Sequence, residues 1–493
     1  MAIIKKARLL IRQEKKWLIV FLIVAIPRVI YSIFTLNTTQ DSFFYLNIAE
    51  NIKNGCGFSY TNDLGYCEPL IGGYFPGYPY FLHIFKSIGF SNKAITIFVS
   101  ILISCSITYL LKTIENIGIR EKKIFIFAFL IGFSPISMGY SRFLLIDPIL
   151  YFFSILLIAE FIKLKHQPKK ISFNFLRIAI VSIFSIYFKP TLIILVVPHF
   201  LLIFSHFGIK KFIKYSIVYF FILIISISPW FFKNLNNSSK IFQENSNAAP
   251  ANVKGLVNWL ATFSLTEYEN ASALYPIYSH EDGDRKKVII KTKFNPYISQ
   301  TDKDFKQVNE ILKKENPNIK RGFTDEEKIF LNKLAKSRSK NNGFLGNTFL
   351  YSIKIISTLL HPLNSWGWPI SVNLNAEYSL TNFSLNLKLF FKFIIFLYRL
   401  ILFYFYFGNL FFLAKNININ KFYSKRNQII IKQNIFLVTT FLILCLNIFL
   451  YIGLFGLLEH RYFYPVMPWI EFSLFLKILE PKKLENISFQ NII

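Results

Sequence analysis

The sequence predicts an all-α polytopic membrane protein of about ten transmembrane helices. Three observations carry that prediction. Of 493 residues, 53% are hydrophobic and 17% charged, against the roughly 25% charged of a soluble domain, and the mean hydropathy is +0.41. Runs of about 20 residues almost free of charge recur along the chain, the length that crosses roughly 30 Å of hydrocarbon. The charge itself is lopsided: Lys+Arg 56 against Asp+Glu 27, a formal net charge of +29, with the basic residues concentrated in alternate loops, as cytoplasmic loops require. Disordered chains, secreted disulfide scaffolds and soluble DNA-binding domains are excluded, and no nucleic-acid partner is implied.

The first span, 17–36, follows Lys5, Lys6, Arg8, Arg12, Lys15 and Lys16. It is too long for the apolar core of a signal peptide and lacks a small-residue cleavage site, so it reads as an uncleaved anchor with its N-terminus inside. The stretch 37–75 carries Asp41, Glu50, Asp63 and Glu68 against Lys53 and reads as outside. Spans follow at 92–111, 124–141, 143–163, 172–188, 190–206 and 214–232. Lys112/Arg120/Lys122/Lys123, Lys163/Lys165/Lys169/Lys170 and Lys210/Lys211/Lys214 mark cytoplasmic loops, which leaves residue 233 outside. The polar stretch 233–347 contains helix-like charged runs at 302–314 and 325–340. Pro362, Pro369 and Trp366-Gly367-Trp368 make 348–370 an interfacial or re-entrant segment that does not cross. Spans at 386–414, 434–457 and 463–479 complete the chain, around a cytoplasmic loop with Lys421, Lys425 and Arg426. Three regions result: 1–232, a transmembrane module with the outer loop 37–91; 233–385, an extracytoplasmic segment with an interfacial helix; and 386–493, the C-terminal helices.

An ionisable residue at bilayer depth costs about 2.5–3.5 kcal/mol on insertion scales and needs a partner or a purpose. At the outer ends stand Asp41, Arg142, Asp147, Lys189, Lys233, Glu459, His460 and Arg461, with Arg28 inside the first span. Each has a bland reading. Arg28 snorkels or pairs with a carboxylate; Lys189 and Lys233 anchor at the interface; Arg142 pairs with Asp147; Asp147, before Pro148, caps a helix. Asp41 is harder to dismiss, because the amphipathic run 42–52 holds its carboxylate at the membrane surface. Cys56 and Cys67 share the outer loop, where the compartment permits a disulfide, whereas Cys105 and Cys445 lie within spans. The seven histidines form no ligand spacing, so a divalent metal is not called for; His460 beside Glu459 is the lone candidate.

The first outer loop reads Asp41-Ser42, then Tyr45, Ala49, Gly55-Cys56-Gly57-Phe58 and Pro76-Gly77-Tyr78-Pro79. Later come Lys189-Pro190-Thr191, Pro229-Trp230 with Lys233-Asn234, and Arg461-Tyr462 with Pro465 and Pro468. This set resembles the GT-C glycosyltransferases that use phospholipid-carried sugars, the group of the protein O-mannosyltransferases (glycosyltransferase family 39) and aminoarabinose transferases. The resemblance covers the first seven spans and the last pair but not 240–385. The chain departs from it at Ser42, where relatives carry a second acid, at Tyr74, where they carry an arginine, and at Lys189 and Lys233, where arginine is usual. A lysine neutralises phosphate without gripping it in a bidentate fork.

The resemblance implies a GT-C bundle in the plasma (inner) membrane with its active site on the extracytoplasmic face. It implies transfer of a sugar from a polyprenyl-phosphate donor to a lipid, glycan or protein acceptor; related families differ in their use of a divalent metal, so the resemblance itself implies no particular cofactor. Asp41 would be the general base of an inverting displacement, with Asp147 and Glu68 as supporting acids. Lys189, Arg461, Arg142 and Lys233 would bind the donor phosphate, and Tyr45, Tyr78, Tyr462 and Glu459 would contact sugar or acceptor. Two other classes stay open. A flippase or transporter of a lipid-linked sugar predicts midplane charges and paired repeats, whereas here the charges gather at one face and no repeat is found. A surface-polysaccharide polymerase or ligase would rely on a long loop rich in Arg and His.

Overall fold

A computed structural model describes residues 2–35, 38–61, 65–70, 75–167, 171–237, 249–264, 303–313, 323–360, 383–416, 434–450 and 463–479. The N-terminal part runs α1 (Ala2–Thr35), α2 (Gln40–Lys53), strands β1 (Ser59–Thr61) and β2 (Cys67–Pro69), α3 (Gly77–Ser87), α4 (Asn92–Glu115), α5 (Glu121–Gly132), α6 (Pro135–Ser141), α7 (Asp147–His166), α8 (Ile171–Phe188), a 3-10 turn (Pro190–Val196) and α9 (Val197–Asn237). Then come α10 (Ala249–Leu260), α11 (Lys303–Lys313), α12 (Asp325–Leu360), α13 (Phe383–Asn416), α14 (Ile435–Ile448) and α15 (Met467–Leu479).

Among the described residues six helices are long and apolar enough to cross a membrane, seven if the pair α5–α6, bent by 51°, is one span. By helix length and hydropathy the chain is a multi-pass membrane protein. The outward surfaces agree. On α1 the stripe Leu18, Leu22, Ile26, Ile30 and Phe34 is exposed, while Val20, Val24 and Arg28 on the opposite stripe are buried. An apolar stripe turned outward is unfavourable in water and suits a helix facing lipid.

Three expectations need correction or refinement. The span at 124–141 is not straight, because Pro135 interrupts it. The expected spans 190–206 and 214–232 form one run, Pro190–Lys233, broken at Gly208, where the backbone leaves the helix (φ 77°, ψ 175°). At 1.5 Å per residue its 44 residues reach about 66 Å, enough for two crossings. Finally, α12 breaks at Gly343 (φ 66°, ψ −179°) and its apolar part runs on from there to Leu360; it belongs to the six long apolar helices, whereas 348–370 was expected not to cross. The prolines behind that expectation, Pro362 and Pro369, lie outside the described residues.

Opposite ends of the bundle differ chemically. At one end Lys16 pairs with Glu115 and stands over the Trp17 ring, which Lys112 also approaches. Beside them Glu160 is buried among Tyr109, Lys163 and Arg177. At the other end Ser32 donates to Ser141 O (2.9 Å) and meets Ser100 (2.7 Å), so the end of α1, the start of α4 and the end of α6 come together. The Tyr187 hydroxyl at the end of α8 donates to Ser226 O on α9. The loops bearing the quoted motifs of the N-terminal half gather at this second end.

The polar segment builds its own core from Leu256, Trp259, Leu260, Val308, Ile311, Phe323 and Leu331. The charged runs expected to be helical are α11 and the start of α12, the latter opened by a capping box in which Glu327 N–H donates to Thr324 Oγ1 (3.1 Å) and Thr324 N–H donates to Glu327 Oε2 (2.9 Å). Asp304 accepts from Trp259 Nε1 (3.2 Å) and pairs with Arg338.

Gly77 is the tightest joint at the motif end. A Cβ placed there would lie 2.7 Å from Tyr187 O and 2.9 Å from Phe188 N, so the start of α3 touches the backbone of α8. Gly77→Ala is expected to push α3 off that backbone and destabilise the protein by about 1–3 kcal/mol. Thermal unfolding of the detergent-solubilised variant measures this, and an unchanged midpoint would refute the contact.

Candidate functional site

The site begins with a cap. Thr39 accepts from Ser42 N–H (3.3 Å) and Thr39 N–H donates to Ser42 Oγ (2.9 Å), a reciprocal box that starts α2. Ser42, read in the sequence as a missing acid, therefore fixes the helix turn that carries Asp41. Its side chain is fully buried, and Asp41 beside it is half-buried. Asp41 and Tyr45 are four residues apart and share one face of α2.

Tyr45 meets the ring of buried Tyr78 edge-on at 5.0 Å. Burial holds the Tyr78 hydroxyl well above its ordinary pKa, and both Tyr45 and Asp147 add to the effect. Tyr78 thus stays a neutral hydroxyl and places Asp147 next to the Tyr45–Tyr78 pair. Asp147 is buried as the first residue of α7, before Pro148; the N-cap is Ile146, and its side chain makes no capping bond. Arg142, also buried, ends α6 with its guanidinium 4.4 Å from the Phe143 ring centre.

The Gly55-Cys56-Gly57-Phe58 stretch turns the chain from α2 into a hairpin. Gly55 and Gly57 have φ of 84° and 69°, a region open to glycine at little cost. Ser59 pairs with Pro69 and Thr61 with Cys67 in a two-stranded antiparallel ladder that the all-α reading did not include. Asn51 Nδ2 donates to Ser59 O (3.0 Å), Thr61 Oγ1 donates to Asn51 Oδ1 (2.8 Å) and Thr61 N–H donates to Asn47 Oδ1 (2.8 Å), tying the hairpin to α2. Cys56 and Cys67 are disulfide-bonded, Cα atoms 6.0 Å apart. Glu68 stands on β2 opposite Tyr60.

Phe58 then packs edge-on against Trp230 of α9 at 4.8 Å, with Ile48 of α2 beneath. Half-buried Lys233 lies over both rings, 5.3 Å from Phe58 and 5.2 Å from Trp230. Lys189, also half-buried, follows the α8 backbone on which Gly77 rests, and its own backbone N–H donates to Ser185 O at 2.9 Å. The motifs of the N-terminal half are thus in one neighbourhood: α2 on α3 through Tyr45–Tyr78, α3 on α8 through Gly77, and the hairpin on α9 through Phe58–Trp230. Glu459, His460, Arg461 and Tyr462 lie outside the described residues.

Comparison with protein-family models, with characterised proteins and with solved structures finds no match to this chain.

Beneath the site lies a buried polar network of which sequence reasoning saw one member. Arg28 neither snorkels nor sits in a direct carboxylate pair. It donates to Val24 O (2.8 Å), to Ile131 O (2.7 Å) and to Ser137 Oγ. Ile131 O is the carbonyl that Pro135, lacking an N–H, cannot satisfy. Glu471 of α15, buried within electrostatic reach of Arg28, accepts from Ser134 (2.6 Å), Tyr398 (2.7 Å) and Tyr151 (3.3 Å). The signal missed in the sequence was Glu471 itself, a lone acid in an apolar run. Arg28→Met removes the shortest of three hydrogen bonds to Ile131 O, which Ser137 Oγ (3.1 Å) and Ser134 N–H (3.3 Å) also reach, and should loosen the α5–α6 bend at a cost of about 0.5–1.5 kcal/mol. Urea or thermal unfolding reads that loss; full stability in the variant would show that the bend does not depend on Arg28.

Proposed function

We propose that the chain is an integral-membrane glycosyltransferase of GT-C type, moving a sugar from a polyprenyl-phosphate donor to an acceptor hydroxyl at the extracytoplasmic face. The observation that carries this reading is the convergence of Asp41, Tyr45, Tyr78, Asp147, Lys189 and Lys233 from separated motifs to one end of the bundle. The proposed bundle of about ten spans counts α1, α4, the bent α5–α6 pair, α7, α8, each half of the Pro190–Lys233 run, α13, α14 and α15 as crossings.

The acceptor oxygen attacks the anomeric carbon, the bond from that carbon to the phosphate oxygen breaks, and the configuration inverts. The acceptor proton passes to the Asp41 carboxylate as general base. The sugar ends on the acceptor and the polyprenyl phosphate leaves with the bonding pair. Because the leaving group is already a phosphate anion, positive charge replaces a general acid. Lys189, Lys233, Arg142 and Arg461 supply it, while Asp147 and the neutral Tyr78 hydroxyl orient sugar or acceptor hydroxyls and Tyr45 offers a ring face. Glu68, Glu459 and Tyr462 complete the proposed set.

Asp41→Asn, purified at normal yield, should transfer sugar from a polyprenyl-phosphate donor at least about 10²-fold more slowly than the unmodified protein. Chromatography of the released polyprenyl phosphate measures it. Undiminished transfer removes Asp41 from the base role. A donor that changes leaflet but stays chemically intact would support a flippase instead.

A further inference from the structure

A strongly basic patch at the opposite end of the bundle from the motifs has no part in the proposed transfer. From Phe161 to Gln243 the sequence contains no Asp or Glu, while Lys210, Lys211 and Lys214 crowd little more than one turn of α9. The two halves of α9 fold side by side: Phe200 meets Phe212 at 6.2 Å and Tyr219 at 5.3 Å, and Phe204 meets Phe212 at 5.7 Å. Gly208 is therefore the tip of a helical hairpin. The Tyr215 and Ser172 hydroxyls share a hydrogen bond (2.9 Å) and the Tyr215 ring packs on Phe175 at 4.6 Å, which sets the tip beside the start of α8. At this end Lys16 has Glu115, and Lys163 and Arg177 share Glu160. The tip is different. Among the described residues Lys210 and Lys214 have neither an ion pair nor a hydrogen bond, and Lys211 stands over the Phe207 ring at 5.1 Å.

All three lysines are exposed, and like charges one turn apart repel. The helix beyond them indicates which anion answers them. Lys210, Lys214, Ile217, Phe221 and Ile224 follow one another at alternating spacings of four and three, so they share one face. Ile217, Phe221 and Ile224 on that face are exposed, as are Val218 and Ile225 beside them, while Tyr215 and Tyr219 on the far side are buried. From Lys214 to Ile225 the helix rises about 16 Å, the depth of one leaflet of a hydrocarbon core roughly 30 Å thick. A soluble anion would use the charges and leave that apolar shelf bare. We propose that the Gly208 tip seats an anionic glycerophospholipid of the adjacent leaflet, with its phosphodiester on Lys210 and Lys214 and Lys211 alongside. Its acyl chains lie on Ile217, Phe221 and Ile224. By the positive-inside rule that leaflet is the cytoplasmic one, whose negative surface attracts basic segments beside a span. Lysine is a point charge on a flexible stem, so the seat reads charge rather than headgroup shape. This inference rests on the membrane reading of the chain and is independent of glycosyl transfer.

The test is lipid retention by the full chain in nanodiscs that mix phosphatidylglycerol with phosphatidylcholine, read by native mass spectrometry after release. The unmodified protein should keep phosphatidylglycerol in preference to phosphatidylcholine. Lys210→Gln, Lys211→Gln and Lys214→Gln together should weaken that preference about 10²-fold. Lys210→Arg, Lys211→Arg and Lys214→Arg together, which keep the charge, should retain it. Raising the salt concentration on the unmodified protein should weaken it as well, a readout that no misfolded variant can confuse. An unchanged preference in the glutamine variant, or one indifferent to salt, overturns the proposal. Displacement of the lipid by inorganic phosphate alone overturns it too, as a site for a free anion, and displacement by polyglutamate overturns it as a dock for an acidic protein. Loss of sugar transfer with retention intact bears on Asp41 and its neighbours and leaves this seat standing.

Discussion

The architecture depends on one buried carbonyl inside the bundle, that of Ile131, to which Arg28 donates from the first span. Pro135 breaks the span that would otherwise run straight from Glu121 to Ser141, and breaking a helix in hydrocarbon strands a carbonyl that water cannot reach. Arg28 answers that carbonyl from the neighbouring span. Ser137 also donates to it (3.1 Å), and Ser134 both caps α6 and donates to Glu471. The bend, the first span and the last described helix are therefore fastened at a single buried point. Arg142, Asp147 and the start of α7 inherit their positions from it.

Much of the fold was legible because hydropathy and charge report on the solvent each residue meets. The first span, its basic flank and the acidic loop behind it follow from those two signals, as do the helix at Lys303–Lys313 and the charged first part of α12, 325–340. Pairing of Cys56 with Cys67 was legible from their shared loop. The bend at Pro135 was visible as a residue but not as an angle, since its cost depends on which neighbour satisfies Ile131 O. The hairpin escaped because three residues per strand are too few for a period-two pattern.

The candidate site was legible in its charged members and illegible in its fastenings. Asp41, Asp147, Lys189 and Lys233 stood out because charge beside a span is rare. Ser42, Asn47 and Asn51 did not, being ordinary polar residues whose roles appear only when the cap and hairpin form. Ser42 entered the sequence reading only where the resembled family carries a second acid; its cap on α2 was not legible, because a capping box usually ends in Glu or Gln. Glu471 was hidden for a different reason. Its donors come from Ser134, Tyr151 and Tyr398, three residues on three helices far away in sequence, and no local pattern joins them.

The contact of Phe58 with Trp230 carries a consequence for how the molecule is assembled. It joins the first loop to the far end of α9, across almost the whole N-terminal bundle, and long loops must close before such a contact is rewarded. The shelf beneath Lys233 is therefore among the last parts of that bundle to form. The Cys56–Cys67 bond and the Asn47 and Asn51 hydrogen bonds are local, so the hairpin can take shape on α2 well before α9 arrives. The loop is built in advance and waits for its partner helix.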